Sequence, residues 1–186
     1  MKVALVSTKT LLEESGASTN FFTGKTNKNE ELLNFGCQSI TNLLNKVVEG
    51  GSKNADFSIS VNLLDKIFQM FIEMRSKKVR QKFSEGLLAS LSTAEAQTVL
   101  SRENSTVRKE VLEIVVDLNA VKTGLADIDL DFDKVLGAIQ KVTKDTNLKE
   151  MSSLEINLLT YSILFLLTNQ EFSVRDYAEH AFGILV

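Results

Sequence analysis

Residues 156–186 read INLLTYSILFLLTNQEFSVRDYAEHAFGILV. An almost wholly apolar segment, Ile156 to Leu167, meets a short polar turn, Thr168 to Ser173. An amphipathic segment opening on Val174-Arg175 follows. In it Val174, Ala178, Phe182 and Leu185 fall on one face at helical spacing, which places Phe182 in the core between two helices. Two helices of about 12 residues joined by so short a turn must lie antiparallel and pack on each other.

The rest of the chain agrees with a helical reading. There is no proline, although sheets and long loops usually recruit it at edges and turns. The 186 residues suffice for one domain with a sizeable core. A net charge of -3 and a pI near 5.3 argue against a nucleic-acid partner, which calls for a basic footprint. The longest apolar run, Leu158 to Leu167, falls short of the ~18 residues that span a bilayer. MKVALVSTK is too short an apolar stretch for a signal peptide. No membrane partner is expected, and an intracellular location, cytoplasmic or nuclear, is.

Residues 1–30 read as a polar N-terminal arm and 31–186 as a single helical-repeat domain. Gly24-Lys25-Thr26 ends like a phosphate-binding loop, but Thr19 stands where the pattern needs glycine, and Phe21 and Phe22 crowd the segment. An ordinary loop is the reading. An amphipathic helix over 30–48 carries Cys37 on a face with Leu33, Ile40, Leu44 and Val47, so the one cysteine is expected to be a buried small hydrophobe. Gly50-Gly51 should stop that helix. Further helices are expected over 57–74, 79–91, 93–101 (with Ser92 and Glu95 as a capping box), 107–121 and 133–144.

In the connector 122–132, Asp127, Asp129, Asp131 and Asp133 alternate as in a calcium loop. Phe132 and Ala138, however, hold the positions that need Gly and Glu. Ile128, Leu130 and Phe132 are expected to dock an extended connector while the aspartates stay in water and Asp133 caps the next helix. Ser152 and Glu155 form a second capping box ahead of the terminal hairpin. Asn104-Ser105-Thr106 is a glycosylation sequon by chance.

Three segments open alike: VRQKFSEGLLASL from Val79, VRKEVLEIVVDLN from Val107 and VRDYAEHAFGILV from Val174. Four residues past each valine stands Phe83, Val111 or Ala178, and eight past it Leu87, Val115 or Phe182. The gap from Val107 to Val174 is about two repeat lengths, and helix 133–144 fills the missing register. This pattern, over about residues 57–186, resembles the HEAT/armadillo family. The resemblance implies an all-α fold of antiparallel helical hairpins stacked as a short α-solenoid. It also implies that Arg80, Arg108 and Arg175 tie repeats together through polar contacts in the turns. Second helices of a solenoid line its concave binding face. The polar residues there would be Gln81, Lys82, Glu85, Lys109, Glu110, Glu113, Asp176, Glu179 and His180.

The single histidine, His180, rules out a histidine-based metal cluster and leaves one candidate base for nucleophilic catalysis. No catalytic residue, cofactor or metal site is assigned. Basic residues gather over 76–109 and acidic ones over 110–136, so Lys77, Lys78, Lys82 and Lys109 either meet an acidic partner or belong to unrelated solvated faces. At the chain end, Ile184 and Val186 cannot both turn into the hairpin that holds Leu185. The apolar surface left there is expected to be covered by a second copy, a partner or further repeats, the alternative being the N-terminal arm folding back. The expected function is a non-enzymatic scaffold or adaptor that binds a protein or peptide along its helical-repeat surface. The alternatives are a compact helical subunit of a larger complex and, behind it, a nucleic-acid-binding helical-repeat protein.

Overall fold

The computed structural model describes residues 27–53, 59–122, 129–145 and 150–186. The readings at Gly24-Lys25-Thr26, over residues 1–26, and at Asp127 and Ile128 lie outside the described residues. Eight α-helices are described: α1 (Asn27–Ser52), α2 (Val61–Glu73), α3 (Lys77–Leu91), α4 (Ala94–Ser101), α5 (Lys109–Leu118), α6 (Phe132–Gln140), α7 (Ser153–Leu164) and α8 (Phe172–Leu185). A π-helical turn, Lys141–Asp145, prolongs α6, and a 3-10 turn, Leu166–Thr168, follows α7. Among the described residues the one extended pairing is a single antiparallel bridge between Val121 and Leu130.

The fold is an all-α stack. Helices α1, α3, α5, α6 and α8 form a row in which each packs on the next, and α2 and α7 lie against each other beside it. Helix α6 fills the register between α5 and α8, as the repeat spacing requires. Helix α7 packs on α2, α5 and α8, which accounts for a segment that is apolar on every side. The positions four and eight past each opening valine are buried at Phe83, Val111, Ala178, Leu87 and Val115.

The core confirms Cys37 as a buried hydrophobe; burial pushes its thiol up to about 12. Four local expectations differ. Gly50-Gly51 does not stop α1, which runs to Ser52; the Gly51 carbonyl accepts a bond from Arg102 at 3.1 Å and so does not need a glycine cap. Thr93, not Ser92, caps α4, accepting from the Ala96 N–H at 3.1 Å. Asp131, not Asp133, caps α6. In α8 the buried line is Val174, Ala178, Ala181 and Leu185, so Phe182 lies half-buried at the margin. A step of seven residues returns to the same helical face more closely than a step of eight, and this displaces Phe182 in favour of Ala181.

Elsewhere the sequence-level expectations correspond to definite contacts. The Ser152–Glu155 capping box forms. Leu130 is buried, and Asp129 is tied to Lys77 at 2.8 Å instead of standing free in water. The Lys77 ammonium, helped by the Leu130 N–H, holds the Asp129 carboxyl below its usual range. Within the sequon, Asn104 takes the left-handed conformation, φ 52°, that asparagine tolerates at a helix end. The Ser105 hydroxyl is fully buried, shared between the carbonyls of Ile59 and Leu100 at 2.9 Å each.

Two buried charges lock the stack. The Arg80 guanidinium is 1% exposed. Its Nε donates to Asn119 Oδ1 at 2.8 Å and one terminal nitrogen to the Ser162 carbonyl at 3.0 Å. The other donates to the carbonyls of Phe71 and Met74. Its carbon lies 5.1 Å and 4.4 Å from the ring centroids of Phe71 and Phe165. Burial, with a smaller push from nearby Arg75, brings the guanidinium down to about 9, so it remains charged at neutral pH. Glu155 is the acidic counterpart, 2% exposed. Its carboxylate accepts from the Arg108 backbone N–H at 2.8 Å, from Arg108 Nε at 2.9 Å and from the Ser152 N–H at 2.9 Å. Arg80 and Arg108 thus join elements distant in sequence, whereas Arg175 donates only to Asn169 and Gln170 in the turn just before it.

Arg80→Met keeps most of the volume but leaves four buried acceptors without a donor. It should lower stability by about 2–4 kcal/mol in urea unfolding, since each orphaned group costs about 1–3 kcal/mol and the desolvation of the charge is relieved. An unchanged urea midpoint would show that these bonds contribute nothing. For Glu155, burial alone would raise the carboxyl, but the bonds from Arg108 and Ser152 outweigh it and hold it below its ordinary 4.5. A carboxyl depressed in the folded state gives stability that is present above pH 4.5 and is lost as pH falls through the lower folded value. Glu155→Gln should therefore be less stable at pH 7 and flatter than the parent between about pH 5 and 3. Parallel stability–pH curves would refute this.

Candidate interaction surface

The nine polar positions expected to bind a partner all belong to the row, but they do not converge on one spot. On α3, Gln81 donates to Glu85 at 2.9 Å, and Lys82 is exposed beside them. On α5, Lys109 holds Glu113 at 3.6 Å while Glu110 is exposed. On α8, Asp176, Glu179 and His180 are exposed. Helix α3 packs on α5, so the first two groups are neighbours; α6 stands between α5 and α8 and separates the third. Helix α6 exposes Asp133, Lys134 and Gln140, none of which the Val-Arg spacing marks.

The basic stretch is partly spent within the chain. Lys77 pairs with Asp129, Lys109 with Glu113, and Arg108 with Glu155 at 2.9 Å. Lys82 is exposed and Lys78 half-buried, and neither has an ion pair among the described residues.

The exposed aromatic side chains were missed by the sequence reading. Phe172, at the first turn of α8, is 71% exposed, and Tyr177 also faces water. Phe172, Asp176 and Glu179 recur at i, i+4 and i+7, so they share the outermost line of the helix. Glu171 precedes them and is exposed too. The Arg175 guanidinium lies 5.7 Å from the Phe172 ring centroid and steadies that ring over the turn. Farther along, Val186 is 86% exposed and Ile184 half-buried, so apolar surface does remain at this end of α8. The missed signal was the phase of α8: Phe172 and Tyr177 both fall off the buried line of Val174, Ala178, Ala181 and Leu185.

The fold and this surface define an all-α helical stack that meets its surroundings through helix faces. The chain belongs to the family described as "U3 small nucleolar RNA-associated protein 20, N-terminal", whose model matches residues 19–185 and so takes in all the described helices. Neither the curated proteins nor the solved structures contain a match. Among the described residues no helix is long and apolar enough to cross a membrane.

If the exposed aromatics of α8 serve contact and not folding, Phe172→Ala and Tyr177→Ala should each change stability by less than about 0.5 kcal/mol, as at exposed positions generally. Thermal melts followed by circular dichroism would check this. A drop of several degrees would mean that these rings pack on the fold.

Proposed function

We propose that this chain is a non-catalytic helical subunit of a complex associated with U3 small nucleolar RNA, built on HEAT-type hairpins and held in that complex by protein contacts. The observation that carries the reading is the family match over residues 19–185, which spans the whole described stack. The family's description names association with an RNA, and a nuclear, nucleolar location follows from the same reading.

Charge favours protein over RNA as the direct partner. The exposed aromatics of α8 would suit stacked bases, but Glu171, Asp176 and Glu179 lie along the same helix and would repel phosphate. With a net charge of -3 the chain as a whole offers no compensating field. Exposed rings set beside carboxylates instead suit a basic protein surface with apolar spots. An assembly subunit is also favoured over a scaffold with one peptide groove, because α6 divides the nine row residues. The lone histidine, His180, is exposed on the same face, where it serves contact and not proton transfer.

The test is purification of the tagged chain from cells, with U3 small nucleolar RNA measured in the eluate. That RNA should co-purify with the parent chain and be strongly depleted with the Phe172→Ala, Tyr177→Ala double variant. The purified chain alone should not bind a U3 transcript at physiological salt. Absence of the RNA from the eluate would remove the complex reading. Tight, salt-sensitive binding of the transcript by the chain alone would replace protein contact with direct RNA contact.

A further inference from the structure

Helix α1 stands at one end of the row and packs inward on α3 through Cys37, Leu44 and Val48. The approach is close: a Cβ on Gly86 of α3 would lie 2.6 Å from Thr41 Oγ1. The opposite side of α1 is apolar as well. Phe35 is 72% exposed, Leu32 50% and Leu43 40%. With Ser39 and Lys46 these residues follow i, i+3, i+7, i+11 and i+14, a single line about 21 Å long at 1.5 Å per residue.

We propose that this line pairs antiparallel with the same line of a second copy of the chain, about a two-fold axis at Ser39. The spacing is self-complementary about that residue. Phe35 then faces Leu43 of the second copy, and Leu32 lies along the aliphatic stem of its Lys46. The small Ser39 meets its own counterpart and lets the helices approach. Glu31, one residue before Leu32, falls beside the second copy's Lys46, so opposite charges meet at both ends. Neither Glu31 nor Lys46 has an ion pair within the chain among the described residues. A parallel arrangement would instead set Glu31 against Glu31 and Lys46 against Lys46, so charge selects the antiparallel one. An isologous contact of this kind closes at two copies and does not propagate. One helix pair is at the small end of specific interfaces, below the ~1,200–2,000 Å² of stable complexes, so micromolar dissociation is expected.

The test uses the full 186-residue chain. Light scattering from low to high micromolar concentration should show passage from monomer to dimer. Phe35→Glu, at an exposed site, should keep the helical melt and weaken dimerisation by about tenfold or more. Glu31→Lys and Lys46→Glu should each weaken it, and the two together should restore it. Under mild oxidation Ser39→Cys should form a symmetric disulfide dimer, while Asn45→Cys, on the flank of the same helix, should not; buried Cys37 gives no background. A parent chain that stays monomeric overturns the proposal, whether residues 1–26 or another protein then covers the line. So does a dimer that survives Phe35→Glu, or equal cross-linking at positions 39 and 45.

Discussion

The stack depends on a cation with no buried anion to meet it. Arg80 gathers the carboxyl ends of three helices: Phe71 and Met74 close α2, Asn119 caps α5, and Ser162 lies in the last turn of α7. Each helix end presents orphan carbonyls and about half a negative charge. Three such ends around one guanidinium supply what a carboxylate would, without the desolvation of a second full charge. The Phe71 and Phe165 rings occupy the remaining sides, where a delocalised cation is tolerated. A lysine's three N–H donors all radiate from one nitrogen, whereas the guanidinium spreads five over three nitrogens and so reaches all four acceptors.

Glu155 does the reverse job with amino ends. It closes the first turn of its own helix through Ser152 and supplies α5 with a cap that Arg108, the residue at that position, does not provide through its own side chain. The Arg108 side chain then returns to the same carboxylate. Helices α5 and α7 are thus joined by Glu155 at their starts and by Arg80 at their ends. Two fixed points along a helix pair leave no freedom to slide by a turn. A third polar tie sets α2 on α7, where Asn157 and Tyr161 donate to Asp65 at 2.9 Å and 3.2 Å. Apolar packing holds these helices together, and the polar ties choose the register among packings of similar area.

How much of this was legible follows from range. Helix existence, the Ser152 cap, the buried Cys37 and the place of α6 in the row are periodic or local features, and the sequence carries them. The family resemblance also implied that Arg80, Arg108 and Arg175 tie repeats together; Arg175 stays within its own turn, and the partners of the other two were not legible, because Asn119, Ser162 and Glu155 lie 39, 82 and 47 residues away. At the ends of helices, neighbouring polar residues compete for the same role. Ser92 and Asp133 were read as caps, and a shift of one residue gave that role to Thr93 and a shift of two gave it to Asp131. Phase also decided the outer surface. Reading Phe182 as core hid the exposure of Phe172 and Tyr177, and reading α1 only for its Cys37 face hid the line through Phe35.

The ties at the helix ends also shape what the surface can do. Buried charge and buried caps take up the turn polar groups at Arg80, Glu155 and Ser105, so those turns contribute order and not contact. The outward helix faces at the two ends of the row are left exposed. These faces differ in kind. The outer line of α8 sets the Phe172 ring beside the carboxylates of Asp176 and Glu179, a charge that disfavours phosphate. The outer line of α1 is apolar at its centre and carries a charge of each sign near its ends, which makes it its own complement in the reversed direction. A rigid interior makes both faces dependable, because neither α1 nor α8 can turn to bury its exposed rings without breaking the close approach at Gly86 or the buried line of Val174, Ala178, Ala181 and Leu185. Exposed apolar area on helices that cannot rotate is relieved only by something that docks onto it from beyond the described helices.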